Sequence, residues 1–176
     1  QKDFMKLSKK LLAIPALLLT LWGCYKIGFN LITCSGYYAQ HLPHKKGTRP
    51  ELIFTLKHLT IIEKPKNSHL RYDYDGANTI IVDEKYSISS YKNPEILLFN
   101  EKSISIYYDF DKQGKFLFKE VIDNTINDFK HSESDKSKKE AESYVERALT
   151  PILRVQPKPK LNLQWLFNLI YQRKFE

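Results

Sequence analysis

The 176-residue sequence is poor in the residues that most chemistry-bearing motifs require. Its two cysteines, Cys24 and Cys34, are too few and too close together to frame a disulfide-stapled domain lying downstream. A short Cys24–Cys34 bridge and a lone Cys34 thiol beside a modified Cys24 both remain open. The six glycines are scattered singly, so no phosphate-cradling loop can be built from them, and G-x-S-x-G is absent. His41 and His44, with Cys34 nearby, lack a fourth metal ligand at useful spacing. Acid pairs such as Asp83-Glu84 and Glu140/Glu142 read as solvated faces. Catalysis is therefore not expected, and no cofactor is implied.

What the chain does have is positive charge, at +8 net. Its distribution decides what the charge means. Lys2, Lys6, Lys9 and Lys10 against Asp3 leave +3 in residues 1–23. Arg154, Lys158, Lys160, Arg173 and Lys174 against Glu176 leave +4 in residues 151–176. The middle is left with about +1. A nucleic-acid face needs clustered charge on the folded domain itself, so nucleic acid is not an expected partner. Basic ends suit a membrane surface instead.

The stretch Met5–Cys24, MKLSKKLLAIPALLLTLWGC, has the form of an export or anchoring segment: a basic flank, an apolar run from Leu11 to Leu21, then a small residue before a cysteine. Leu21-Trp22-Gly23-Cys24 resembles the lipobox of bacterial lipoprotein precursors. Leu21, Gly23 and Cys24 fit that pattern, while Trp22 is bulky where the family usually has a small residue. The resemblance covers only the first 24 residues and implies lipidation of Cys24. The other reading is an uncleaved membrane helix from Leu11 to about Cys34, with Lys26 snorkelling to an interface. In both, Lys6, Lys9 and Lys10 hold the N-terminal side in and place the domain outside the cytoplasm.

Composition and periodicity divide the chain into a signal or anchor segment (1–34), a tether (35–50, SGYYAQHLPHKKGTRP) and an extracytoplasmic α+β domain (51–176). Strands are expected over Glu51–Glu63, His69–Tyr74, Thr79–Asp83, Tyr86–Tyr91, Glu95–Phe99 and Ser103–Phe110, with turns at Lys64–Asn67 and Asp75-Gly76. In the last of these, Ile104, Ile106, Tyr108 and Phe110 share one face, and Ser103, Ser105, Tyr107 and Asp109 the other. Helical spacing is expected over Lys119–Lys130, over Lys138–Leu153 with Pro151 kinking or ending it, and over Leu161–Phe175. QPKPK (156–160) is a stiff spacer. The expected fold class is α+β: an antiparallel sheet of about five or six strands followed by two or three C-terminal helices that cover one face.

Two constellations are candidate sites. Asp109, Asp111 and Glu120, with Gly114 between them, match the spacing of a calcium loop apart from Gln113 at its fifth place. The flanking residues alternate as strands, so a hairpin turn at Asp111–Gly114 explains the same letters without an ion. In the C-terminal helix, Trp165, Phe167 and Tyr171 are candidate partner-binding residues, for a protein or for the membrane surface. The alternative is that this helix packs on the open face of the sheet. The functional expectation is a membrane-tethered extracytoplasmic protein-binding module without catalysis, such as an immunity or inhibitor protein against an envelope-acting toxin. An accessory structural subunit of an envelope secretion or transport assembly is the second reading. A metal-dependent hydrolase is the third.

Overall fold

A computed structural model describes residues 2–66, 69–99, 103–126 and 128–176, the side chains of residues 2–13 excepted. The basic flank Lys6, Lys9 and Lys10 therefore lies outside the described side chains, and Asn67 of the expected turn lies outside the described residues. The elements are α1 (Lys2–Thr33), α2 (Ser35–Gln40), α3 (Pro50–Lys57), seven strands, α4 (Asp135–Arg154) and α5 (Gln164–Tyr171), followed by a 3-10 turn Gln172–Lys174.

The strands are β1 (Leu70–Asp73), β2 (Asn78–Val82), β3 (Tyr86–Ser90), β4 (Pro94–Leu98), β5 (Ile104–Phe110), β6 (Phe116–Asp123) and β7 (Asp128–Ser132). They form one antiparallel sheet in the order β1-β2-β3-β4-β5-β6-β7, so every neighbour in space is a neighbour in sequence. Short turns suffice for such a meander. At the β1–β2 turn the Asp73 carboxylate accepts from the Asp75 amide at 3.1 Å, and Gly76 supplies a φ of +72°.

One sheet face is dry. Ile80, Val82, Tyr86, Ile88, Ile96, Tyr108 and Phe110 are buried against Leu52 and Leu56 of α3 and Ala141, Val145, Ala148, Leu149 and Ile152 of α4. The α4 residues recur at helical spacing, and Ser134 caps the helix by accepting from the Ser137 amide at 3.2 Å. A second apolar cluster joins Cys34, Tyr38, Ala39 and Leu42 to Phe54, Leu163, Phe167 and Phe175. The two clusters meet across α3, which buries Leu52 and Leu56 in one and Phe54 in the other.

Four expectations are corrected. Glu51–Glu63 is not a strand: Pro50 at the first helical position, Glu51 in the first turn and Lys57 in the last favour α3, and Leu52, Leu56 and Leu59 fall at helical spacing. Lys119–Lys130 is not a helix: it supplies the end of β6 and most of β7 around a turn where Asp123 accepts from the Thr125 amide at 2.9 Å. These two reversals bring the strand count to seven. Residues 35–50 do not hang as a slack tether, because Tyr38 and Ala39 of α2 are 0% and 1% exposed. Gly36 is needed there, since a Cβ would meet Gln156 Cγ at 2.9 Å. Finally, the helices on the sheet are α3 and α4; α5 packs in the second cluster instead.

Within α1, Ile14–Thr33 is long and apolar enough to cross a membrane, a property shared by anchors and signal sequences. Twenty residues at about 1.5 Å each give roughly the 30 Å of a hydrocarbon core. Cys24 lies exposed within this helix, and Cys34 is buried as a free thiol.

Candidate protein-binding face

The second face of the sheet has no part in either apolar cluster, and it is chemically mixed. Strand alternation sends residues 95, 107, 109, 118 and 120 to this side, because their neighbours Ile96, Tyr108 and Val121 point at the helices. Register then brings three carboxylates together. Glu95 stands directly opposite Asp109. Asp109 stands opposite Phe118, which leaves Glu120 on the diagonal. Glu120 stands opposite His131, whose ring lies 4.3 Å from that of Phe118. Residues opposite one another in a sheet have Cβ atoms about 5 Å apart, and like charges in that position repel.

The electrostatics follow. Burial pushes the Glu95 carboxyl above its ordinary range, with Asp109 and Glu120 adding to the effect. Burial raises Asp109 as well, then Glu120, while His131 opposes. Among the described residues none of the three has a hydrogen-bonded or ion-paired cation, although Glu140 on the helix side takes Lys119 at 2.8 Å. Leu97, Tyr107 and Phe118, all half-buried, provide the apolar surround. The row is thus a set of partly desolvated carboxylates held on adjacent strands, with His131 beside it and no ion-paired cation among the described residues.

The sequence-expected residues divide between these surroundings. Asp109 and Glu120 belong to the row. Asp111 does not: its carboxylate accepts from the amides of Gln113 at 2.8 Å and Lys115 at 2.9 Å, closing a hairpin turn with Gly114 at φ +76°. Among the described residues no group of three or more His, Cys, Asp or Glu is placed to hold a metal ion. Phe167 is corrected from a partner-binding to a core residue: it is 0% exposed, with ring centroids 4.9 Å from Phe54 and 4.7 Å from Tyr171. Tyr171 is half-buried beside it, and Trp165 is exposed on the other side of α5. Glu95 is the member that sequence reasoning missed. Its signal was the alternation of β4, which places it on the side opposite Ile96, but only the strand register shows that it faces Asp109.

Two shallow clefts of about 580 and 450 Å³ flank Tyr144 on the helix side, one lined by Lys136, Lys139 and Glu140 and the other by Tyr86, Leu98 and Arg147. They share no residue with the carboxylate row. No family model, curated protein or solved structure matches this chain.

Proposed function

We propose that the chain is a membrane-tethered, extracytoplasmic protein-binding module whose open sheet face receives a lysine- or arginine-bearing segment of a partner protein. The observation that carries the reading is the row Glu95, Asp109 and Glu120, partly buried and with no ion-paired cation among the described residues. A basic side chain arriving there relieves repulsion that the free protein must tolerate, and Tyr107 and Phe118 add apolar contact around it. The basic N-terminal flank and the apolar Ile14–Thr33 stretch support tethering and an outward-facing domain. Lipidation of Cys24 is one route to the tether, and an uncleaved span is the other.

Photocrosslinking in intact cells tests this. A benzoylphenylalanine replacing Phe118 gives a discrete adduct of defined mass, absent when the probe replaces Ser143 on the helix side and absent in the double variant Glu95→Gln/Asp109→Asn. The crosslinked partner peptide carries Lys or Arg. A Phe118 probe that yields no adduct, or one indifferent to the double variant, overturns the reading. The adduct also separates the forms of the role: a single soluble toxin marks an immunity or inhibitor protein, and an integral membrane protein marks an accessory subunit.

A further inference from the structure

The exposed side of α5 bears a stripe that the fold leaves uncovered. Trp165 and Leu169, one helical turn apart on α5, are 66% and 73% exposed, and Leu161, in the segment leading into the helix, is 61% exposed. Their position relative to α1 says what covers them. The Leu161 carbonyl accepts from Asn30 Nδ2 at 3.3 Å and from the Tyr38 hydroxyl at 3.2 Å. The single proton of that hydroxyl is shared with Asn30 Oδ1, which is nearer at 2.6 Å. Asn30 lies one turn before Thr33, where the apolar stretch of α1 ends. The start of the stripe is therefore fastened to the end of the span, at the level where hydrocarbon gives way to headgroups. Lys158 and Lys160 precede the stripe and Arg173 follows it, all exposed. Tryptophan beside cations is the composition of a helix lying in the membrane interface.

We propose that α5 lies in the headgroup layer of the bilayer that holds α1, with Leu161, Trp165 and Leu169 in contact with acyl chains and Lys158 and Lys160 on anionic headgroup phosphates. The proposal rests on α1 as the anchor and is independent of the carboxylate row. It takes the uncleaved span as the form of the anchor, because cleavage before Cys24 would remove residues 14–23 of the apolar stretch that sets the level of Asn30.

Trp22 and Trp165 are the two tryptophans, so Trp22→Phe leaves a single reporter. The full chain carrying Trp22→Phe is reconstituted in vesicles of phosphatidylcholine and phosphatidylglycerol, and flotation with the vesicles reports the anchor. Trp165 emission should be blue-shifted, quenched more by lipid brominated near the headgroup than near the chain end, and at least about threefold less accessible to acrylamide than free tryptophan. Lys158→Ser/Lys160→Ser should weaken the shallow quenching in vesicles containing phosphatidylglycerol and leave it unchanged in phosphatidylcholine alone. Chains that float while Trp165 stays fully open to acrylamide and blind to both brominated lipids overturn the docking of α5 and leave the anchor standing. Chains that fail to float overturn both.

Discussion

The outer face of the sheet and the exposed side of α5 both leave apolar groups uncovered, yet the physics that holds each in place differs. The sheet face is built on three adjacent strands, β4, β5 and β6, and two of its polar members, Glu95 and Asp109, are carboxylates whose charge is disfavoured where they sit. The α5 side is built on a single short helix, its polar neighbours are cations, and its apolar members stand more than half exposed. A row of acids on paired strands, with no ion pair among the described residues, suits a partner that arrives with its own shape and charge. Exposed leucine and tryptophan flanked by lysine suit a fluid surface that adapts to them. The difference teaches that exposure alone does not make an interface; the polar groups among the apolar ones say what kind of surface is missing.

The sharpest division is within α5. Phe167→Ala removes a ring buried against Tyr38, Phe54 and Tyr171 and should cost about 3–5 kcal/mol in urea unfolding. Trp165→Ala, two residues away, should change stability by no more than about 0.5 kcal/mol in the absence of lipid. Equal costs would mean that Trp165 belongs to the core, and the contrast between the two sides of the helix would collapse.

Acid separates the helical base from the sheet face by sign. Burial holds His58, which meets the Ser35 hydroxyl at 2.9 Å, down to about 4 from its ordinary 6.5. Its unfolded form takes up a proton first, so the stability it contributes is full above pH 6.5 and is lost as pH falls towards about 4. The loss is on the order of 2 kcal/mol, and His58→Gln should flatten that part of the pH–stability curve. Glu95 and Asp109 act oppositely. Their folded-state values are raised, so their protonation favours the folded state and the stability they add at low pH is lost as pH rises through those values. Asp109→Asn should therefore raise the neutral-pH stability of the isolated protein by about 0.5–1 kcal/mol, visible as a higher Tm, while abolishing partner capture. A lower Tm would show that the carboxylate is satisfied in the free chain.

The smallest effect lies at the β2–β3 turn, remote from both surfaces. Asp83 and Glu84 both adopt φ of 52°, a conformation that favours glycine, and salt bridges to Arg147 and Arg71 hold them. Glu84→Gly relieves the strain and removes an exposed ion pair with Arg71, so chemical denaturation should detect a net gain of only a few tenths of a kcal/mol.

Much of the sheet is legible in the sequence. The alternation from His69 to Phe110 placed five strands and put Ile106, Tyr108 and Phe110 on the side that proves to be buried. The seven-stranded count was hidden because Phe118, Val121, Ile122, Ile126 and Phe129 also fit a helical spacing, and short apolar runs satisfy both periods. Phe and Val at these positions favour strands, and pairing with β5 decides between the two. The segment containing α3 failed in the other direction: Ile, Leu, Phe and Thr suggested a strand, while Pro50 and the Leu52–Leu56–Leu59 spacing governed the outcome. Sequence spacing offers Asp109, Asp111 and Glu120 as cation ligands, and of these Asp109 and Glu120 reach the sheet face. They do share a face, but their neighbour there is Glu95, which sequence spacing could not supply because strand register is set by the turns. Trp165 and Phe167 could be separated only once the second cluster was known.

The placement of α3 between the two clusters has a mechanical consequence. With Leu31 of α1 packed on the second cluster, Phe54 set among Tyr171, Phe167 and Phe175, and Leu52 and Leu56 buried under the sheet, a pull on α1 reaches the strands through packed side chains of α3. The sheet is mounted like a bracket on a post. If the proposed partner seats on the carboxylate row, the load it carries passes through α3 to the cluster that holds the end of α1.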